Sequence, residues 1–253
     1  MAQPVDVAIL VPIMGRRLYV RPYLAGIERA TSGLDCTLTI ASADGPAIDG
    51  MPYVAVDLGA RGWSRGRALN AALRSAPPAR YYASTDIDAV LHPTALQRAT
   101  EKASVAGFCV MGGLCLTESD SRAILAEQAI PESLFSLPVT AESAAIDALA
   151  EFHGLVVIAD WHLAEIRALT GDSPWAEYYG WGCEDTQLIA ASQFASRKAG
   201  RESVIEYERD CWRHLWHPPA PGKPEHGKPE TGDDTYRDNQ AAYSAALEAY
   251  ANA

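Results

Sequence analysis

The sequence has little of what marks secreted, metal-clustered or membrane-spanning proteins. Its five cysteines are odd in number, widely spaced and form no CxxC pair, so neither a disulfide framework nor a zinc cluster is favoured. No apolar run approaches the roughly 20 residues that cross a bilayer, and the first residues lack the basic and apolar regions of a signal peptide. We therefore expect a cytoplasmic protein with no membrane span.

The chain is also short of positive charge. Its 21 basic and 32 acidic residues give a formal net charge of -11, which argues against a broad electrostatic grip on DNA or an anionic membrane. The absence of a Gly-x-x-x-x-Gly-Lys-Ser/Thr sequence excludes a P-loop nucleotidase. Several arginines nonetheless lie before residue 70, and they indicate either a local pocket for a nucleotide diphosphate or ordinary surface solubility: Arg16, Arg17, Arg21, Arg61, Arg65 and Arg67.

The sequence does contain a regular alternation of strand and helix signals. Apolar residues make up 48% of the chain, which is enough for a sizeable core. Strands are predicted at residues 7–12, 36–41, 53–58 and 81–87, and helices from the first strand to about residue 32, at 65–75 and at 93–103. This order predicts an α/β fold with a mostly parallel, doubly wound sheet flanked by helices.

The second half of the chain shows a less regular pattern. Further strands are predicted at residues 108–116 (interrupted by Gly112-Gly113), 155–158, 204–207 and 212–216, and helices at 141–152, 185–196 and 236–250. Residues 218–235 are rich in Pro, Gly, Lys and Glu without apolar periodicity, which predicts a mobile loop. Because composition nowhere shifts sharply, we expect a single domain spanning residues 1–253.

Two aspartates, Asp86 and Asp88, directly follow a predicted buried strand. Ligands of open parallel sheets bind at the carboxyl ends of the strands, and this is such an end. Carboxylates one residue apart can hold a hard divalent ion that also bridges diphosphate oxygens. An Asp-x-Asp arises by chance about once in a chain of this length, so ordinary turn carboxylates are the alternative interpretation.

The segment Tyr179-Gly-Trp-Gly-Cys-Glu-Asp185 opens a predicted helix with two adjacent acids. The helix dipole accounts for acids in a first turn, but it does not account for the glycines on either side of Trp181. These glycines permit close backbone approach, and an indole placed there can stack on a sugar ring. An adjacent carboxylate can take the proton of an acceptor hydroxyl.

A pair of histidines, His214 and His217, lies just before the predicted mobile loop. Imidazole suits manganese-like ions as well as zinc, so either histidine can complete a metal site begun by Asp88. A structural role is the alternative for each histidine taken singly. The clustering of two of the six histidines at this point favours ligation.

The order of these segments resembles the GT-A glycosyltransferases, and among them the β-1,4-galactosyltransferase, chondroitin-polymerase and polypeptide N-acetylgalactosaminyltransferase group. The resemblance covers residues 7–239, and the Trp-Gly-x-Glu-Asp element at 181–185 is its most specific part. It implies that Asp185 is the catalytic base, as in inverting members, and that Glu184 helps to hold the acceptor. Departures from the pattern are Cys183, where glycine is common, and Thr186, where a further acid is frequent.

The resemblance also implies a metal site and a donor site. Asp88 matches the acid that ligates the metal directly, and His217 matches the late metal-binding histidine. His214 occupies the position of a second late ligand, which is a methionine in some members. The implied ion is Mn²⁺ or Mg²⁺. The residues implied to bind the donor lie in the first-strand loop, the second helix and the two motifs: Pro12, Ile13, Arg16, Asp44, Arg67, Asn70, Asp86 and Trp181.

Together these features predict a metal-dependent glycosyltransferase that moves a hexose or N-acetylhexosamine from a UDP-sugar to an acceptor hydroxyl. The acceptor is a saccharide, a protein or a small molecule, with a modified nucleobase less favoured. Residues 1–116 would bind the nucleotide sugar, 117–217 the acceptor, 218–235 would form the loop and 236–253 a C-terminal helix. Three alternatives stay open: a retaining transferase, a metal-dependent nucleotidyltransferase or nucleotide-sugar hydrolase, and a non-enzymatic glycan-binding module.

Overall fold

The computed structural model of the chain describes residues 3–47, 49–57, 62–140, 154–179, 183–202, 206–208, 210–217 and 234–252. The first half contains β1 (Val5–Ile13), α1 (Val20–Ala30), β2 (Cys36–Ser42), β3 (Val54–Ala55), α2 (Arg65–Ser75), β4 (Ala79–Thr85), β5 (Ala89–Leu91) and α3 (Ala95–Ala106). The second half contains β6 (Phe108–Met111), β7 (Leu114–Cys115), α4 (Glu118–Glu127), β8 (Leu155–Ala159), α5 (Asp160–Thr170), α6 (Glu184–Lys198), β9 (Glu206–Glu208), β10 (Trp212–His214) and α7 (Asp234–Ala251).

Seven of these strands form one sheet in the order β3-β2-β1-β4-β8-β6-β9. Strand β1 pairs in parallel with both β2 and β4. Strand β8 runs antiparallel to its neighbours β4 and β6, whereas β9 is again parallel to β6. The prediction of a mostly parallel α/β sheet is therefore confirmed, with β8 as the reversed strand among those described.

Helices cover both faces of the sheet, and the alternation of residues along β1 shows how. Val7, Ile9 and Val11 belong to a core layer that also contains apolar residues of α1 and α3. Ala8 and Leu10 face the opposite layer, which is filled by residues of α2, α5, α6 and α7. Because both faces are buried, β1 reads as a continuous apolar run instead of alternating with polar residues.

A second, three-stranded sheet in the order β5-β10-β7 lies beside the first. Strand β10 carries Trp212, which is 2% exposed and donates its indole N–H to the carbonyl of Met111 at 2.7 Å. The Trp212 ring lies so close to Gly113 that a Cβ there would fall 2.1 Å from it. The predicted single strand at 108–116 is therefore divided: β6 stays in the large sheet, and β7 joins β10 beyond the glycine pair.

Other predictions were adjusted by the structure. The predicted strand at 53–58 shortens to Val54–Ala55, at an edge where β2 is the neighbour. Helices α4 and α5 were not predicted. The predicted helix at 141–152 and the loop up to residue 233 lie outside the described residues, and α7 begins at Asp234. Among the described helices, none has the length and apolar character needed to cross a membrane.

The start of α2 packs closely against the segment around Trp175. The hydroxyl of Ser64 caps the helix by accepting from the backbone N–H of Arg67 at 3.2 Å. A Cβ on Gly66 would lie 1.9 Å from the carbonyl oxygen of Ala176. Further along the helix, the Asn70 side chain donates to the carbonyl of Trp175 at 2.7 Å and accepts from its N–H at 3.3 Å. Glycine at position 66 is therefore required for the close approach of this segment to α2.

We expect Gly66→Ala to destabilise the protein, although alanine in a helix is ordinarily about 1 kcal/mol better than glycine. The added methyl collides with backbone, which cannot rotate away, and overpacking of this kind costs about 1–3 kcal/mol. Chemical denaturation of both proteins measures the difference. Arg74→Ala, at an exposed site on the last turn of α2, is the control and should leave stability nearly unchanged. A gain in stability for Gly66→Ala would contradict the packing described.

Candidate active site

The carboxyl ends of three neighbouring parallel strands meet at one edge of the large sheet. Strand β1 ends at Ile13, β2 ends at Ser42 and β4 ends at Thr85. Asp44 and Asp86 follow directly after the last two ends. In open α/β sheets this edge is where ligands bind, and the predicted site residues gather there.

Asp86 and Asp88 lie in a tight turn between β4 and β5. The turn is closed by the backbone N–H of Ala89, which donates to the carbonyl of Asp86 at 3.0 Å. Ile87 between them is 2% exposed and belongs to the core. The two carboxylates have different surroundings, because the side chain of Asp88 is 1% exposed and that of Asp86 is 35% exposed.

Strand β10 brings both histidines to Asp88. It pairs with β5 so that His214 lies opposite Ala89, and the N–H of Leu215 donates to the carbonyl of Asp88 at 2.9 Å. The Nε2 atoms of His214 and His217 lie 3.5 Å and 3.3 Å from Oδ2 of Asp88. Potential ligand atoms of all three side chains lie within 4.8 Å of one another.

The backbone after β10 is held in place from two sides. The hydroxyl of Tyr19 donates to the carbonyl of Trp216 at 3.0 Å, and the N–H of Trp216 donates to the hydroxyl of Ser121 at 2.8 Å. These contacts keep His217 beside His214, with ring centroids 5.1 Å apart. The histidine pair is therefore preorganised by α4 and by the turn before α1.

The donor set suits a divalent cation of the manganese type. One buried carboxylate and two imidazoles combine oxygen and nitrogen ligands, which is the mixture that such ions accept. A cationic side chain also shares this place, because Nη1 of Arg16 donates to Oδ2 of Asp88. Asp88 is thus a carboxylate that faces three groups able to balance its negative charge: Arg16, His214 and His217.

A second group of charges surrounds Arg65, the first residue of α2. Its Nε donates to Asp86 at 2.7 Å and its Nη1 donates to Asp185 at 2.7 Å. Nη1 also lies 3.7 Å from Oε1 of Glu184. Burial acts to lower the pKa of Arg65, but the three carboxylates outweigh it and raise that pKa well above its usual value. Arg65 is therefore a permanent cation that joins the Asp-x-Asp turn to the start of α6.

Glu184 also has a clearly altered acidity. Burial, and then the negative charge of Asp185, raise the pKa of Glu184 to about 7, although Arg65 partly opposes the shift. Both acids lie in the first turn of α6. A carboxyl that titrates near neutral pH at the edge of the sheet where ligands bind is expected where protons are transferred.

Arg65 is a site residue that sequence reasoning named but did not single out. The sequence analysis grouped it with five other N-terminal arginines and gave none of them a separate role. Its main partner Asp185 lies 120 residues away in the sequence. The available signal was its position just after Ser64, the predicted N-cap. The first residue of such a helix lies near the edge of the sheet where ligands bind.

The remaining predicted donor residues lie at or behind the same edge. Pro12 and Ile13 are buried at the end of β1. Asp44 accepts from the N–H of Gly15 through its side chain and from Arg17 through its carbonyl. Arg67 donates to the carbonyl of Asp57 at 3.2 Å.

Asn70 and Trp181 stand apart from these residues. Asn70 is fully buried, with its amide engaged by Trp175, so the described contacts give it a packing role. Its contact with a donor stays a prediction. Trp181 lies outside the described residues.

Several glycosyltransferases of known structure share the fold of this chain, although their sequence identity to it is low. No family model and no curated protein sequence matches the chain. Among solved structures, the catalytic domain of Drosophila beta1,4galactosyltransferase 7 has a TM-score of 0.54 at 13% identity, over 93% of this chain and 79% of that one. Glucosyl-3-phosphoglycerate synthase from Mycobacterium tuberculosis has a TM-score of 0.53 at 14% identity, over 98% and 77%.

A third similar structure is S. aureus TarS 1-349, with a TM-score of 0.55 at 10% identity, over 95% of this chain and 66% of that one. All three similarities extend over nearly the whole chain. They confirm the predicted GT-A fold.

We expect Glu184→Gln to change how stability depends on pH. The pKa of Glu184 rises from 4.5 to about 7 on folding, so the folded protein binds an extra proton between these values. The stabilisation that this extra proton gives to the folded state is fully present below pH 4.5. It is lost as pH rises through 7. Relative to the glutamine variant, the unaltered protein should therefore lose on the order of 1–3 kcal/mol between pH 5 and pH 8.

Thermal or urea unfolding at the two pH values measures this difference. Glu101→Gln, an exposed acid on α3, is the control and should show the same pH profile as the unaltered protein. Parallel profiles for Glu184→Gln and the unaltered protein would show that Glu184 is an ordinary surface carboxylate.

Proposed function

We propose that this protein is a metal-dependent glycosyltransferase that moves a hexose or N-acetylhexosamine from a UDP-sugar to an acceptor hydroxyl. One observation carries the proposal: a single edge of the sheet holds both a carboxylate–imidazole cluster and an acid pair, and Arg65 connects the acid pair to the Asp-x-Asp turn. The cluster suits a metal-bound diphosphate, and the acid pair offers a base for an acceptor hydroxyl.

The similar structures support this proposal through the ligands that they contain. Drosophila beta1,4galactosyltransferase 7 has been solved with manganese, UDP-Gal and xylobiose. The mycobacterial synthase has been solved with Mn²⁺, UDP and phosphoglyceric acid, and TarS with UDP-GlcNAc. The acceptors named there differ in chemistry, so the acceptor of this chain is proposed only as a hydroxyl compound.

Asp88, His214 and His217 are the residues that would hold the cation, Mn²⁺ or Mg²⁺. The bound ion would offset the negative charge that develops on the departing diphosphate. Arg16 already lies against Asp88 and can turn its guanidinium to a phosphate oxygen once the donor is present. Asp44 and Arg67, with Pro12 and Ile13 behind them, would form the nucleotide side of the cleft.

Asp185 is the proposed base. It would accept the proton of the acceptor hydroxyl as that oxygen attacks the anomeric carbon, and UDP would leave with its bonding electrons, which gives inversion. Arg65 donates to the Asp185 carboxylate and so holds it in one orientation. Glu184, with its pKa of about 7, is suited to hydrogen-bond the acceptor hydroxyls.

We expect Asp88→Asn to abolish metal-dependent binding of UDP. The amide keeps the size of the side chain but removes the negative charge that two imidazoles alone cannot replace. Isothermal calorimetry of UDP with and without Mn²⁺ measures the effect. His217→Ala should weaken binding at least about tenfold, as is typical for loss of a metal ligand or its support. Asp172→Asn, at an exposed position, is the control, and unaltered Mn²⁺-dependent binding by Asp88→Asn would refute the assigned metal site.

We expect Asp185→Asn to lose transfer activity by about 100-fold or more, the usual contribution of a general base. Binding of UDP and Mn²⁺ should stay the same, because Asp185 is not part of the metal cluster. A panel of UDP-sugars and acceptors, scored by UDP release, gives the rates, and NMR of the anomeric product gives the stereochemistry. Full activity of Asp185→Asn would disprove the base assignment.

The same assay separates the alternative functions. A retained anomeric configuration would identify a retaining transferase of this fold. UDP release that needs no acceptor would identify a hydrolase, and turnover of nucleoside triphosphates a nucleotidyltransferase. Saturable glycan binding that depends on neither UDP nor Mn²⁺ would identify a binding module.

A further inference from the structure

The C-terminal helix α7 makes specific contacts with the chain that leads into the acid pair. Asn239 is 6% exposed and donates its amide N–H to the carbonyl of Tyr179 at 2.9 Å. The next residue, Gln240, donates to the sulfur of Cys183 at 3.7 Å. Two consecutive residues of α7 therefore hold the residues that flank positions 180–182 on either side.

The far end of α7 is attached to the same helix start. The amide N–H of Gln187, on α6, donates to the hydroxyl of Tyr250 at 2.8 Å, and its amide oxygen accepts from the hydroxyl of Tyr178. The ring of Tyr250 also packs against Phe194, with centroids 5.9 Å apart. Helix α7 is thus joined to the chain before α6 through Asn239 and Gln240, and to α6 itself through Tyr250.

The backbone at the start of α6 needs such support. Cys183 has φ of 78°, in the left-handed region that favours glycine. A non-glycine residue there carries backbone strain, which persists only where the surroundings hold it. Because Glu184 and Asp185 follow at once, the conformation of Cys183 decides how their carboxylates face Arg65.

We propose that Asn239 and Gln240 are positioning residues for the acceptor side of the site. They act through Tyr179 and Cys183, and neither contacts the carboxylates themselves in the described contacts. The C-terminal helix would thereby keep Asp185 and Glu184 in the orientation that an acceptor requires. This inference rests on the proposed glycosyl transfer, and it assigns to α7 a role in acceptor binding in addition to its packing role.

The test variant is Asn239→Asp, which keeps the shape of the side chain but removes the N–H donor. Gln240→Ala is a milder second variant at an exposed position, and Asp238→Asn, exposed on the same turn, is the matched control. Both test variants should raise the KM for the acceptor or lower kcat about tenfold, since small misplacements of reacting groups have large effects on rate. The dissociation constants of UDP and Mn²⁺ should stay unchanged, which a general loss of folding would not allow.

A second measurement is independent of activity. Hydrogen exchange of the peptide spanning Cys183 to Leu188 should become faster in both variants, while exchange in β1 and in the control variant stays unchanged. If acceptor kinetics and exchange are both unaltered, or if exchange rises without any kinetic effect, the positioning role is wrong. If the unaltered protein shows no transfer at all, the proposed function fails. Unchanged exchange in both variants would show separately that α7 does not hold the start of α6.

Discussion

The ion network of Arg65 is the interaction on which the arrangement of this site depends. Three carboxylates share the space around a guanidinium that is 15% exposed. Without a cation, such acids would repel one another and take up protons. Arg65 reaches them because Ser64 caps α2 and Gly66 lets that helix approach Ala176 closely. A local detail of helix geometry is therefore linked to the electrostatics of the cleft.

The two acids of the Asp-x-Asp turn contact different groups. Ile87 is anchored in the core, so Asp86 and Asp88 keep fixed and different surroundings. Asp88 faces Arg16 and the histidines, whereas Asp86 faces Arg65 and, through it, Asp185. A motif usually discussed as one metal-binding unit is here also a structural link between the two sides of the proposed reaction.

Local sequence signals predicted the parts of the fold and site that depend on neighbours in the chain. The apolar run of β1, the Asp-x-Asp turn after β4 and the acids that open α6 are all visible as short patterns. The missed features depend on distant contacts. Arg65 resembles its neighbouring arginines until α2 meets α6, and the amide of Asn70 faces Trp175 because the same side of α2 enters the core. The reversal of β8 and the division of residues 108–116 between two sheets also arise from pairing partners far away in the chain.

The small sheet has a consequence for how this protein is made. Its middle strand, β10, comes near the end of the chain, yet it inserts between β5 and β7 and carries His214 to Asp88. Contacts between segments so distant in sequence form late and slowly. During synthesis, the large sheet can begin to assemble while the cation site is still incomplete, because its last ligands have not yet emerged. Capacity for cation binding would therefore appear only after β10 has been made, and its appearance would report that the small sheet has assembled.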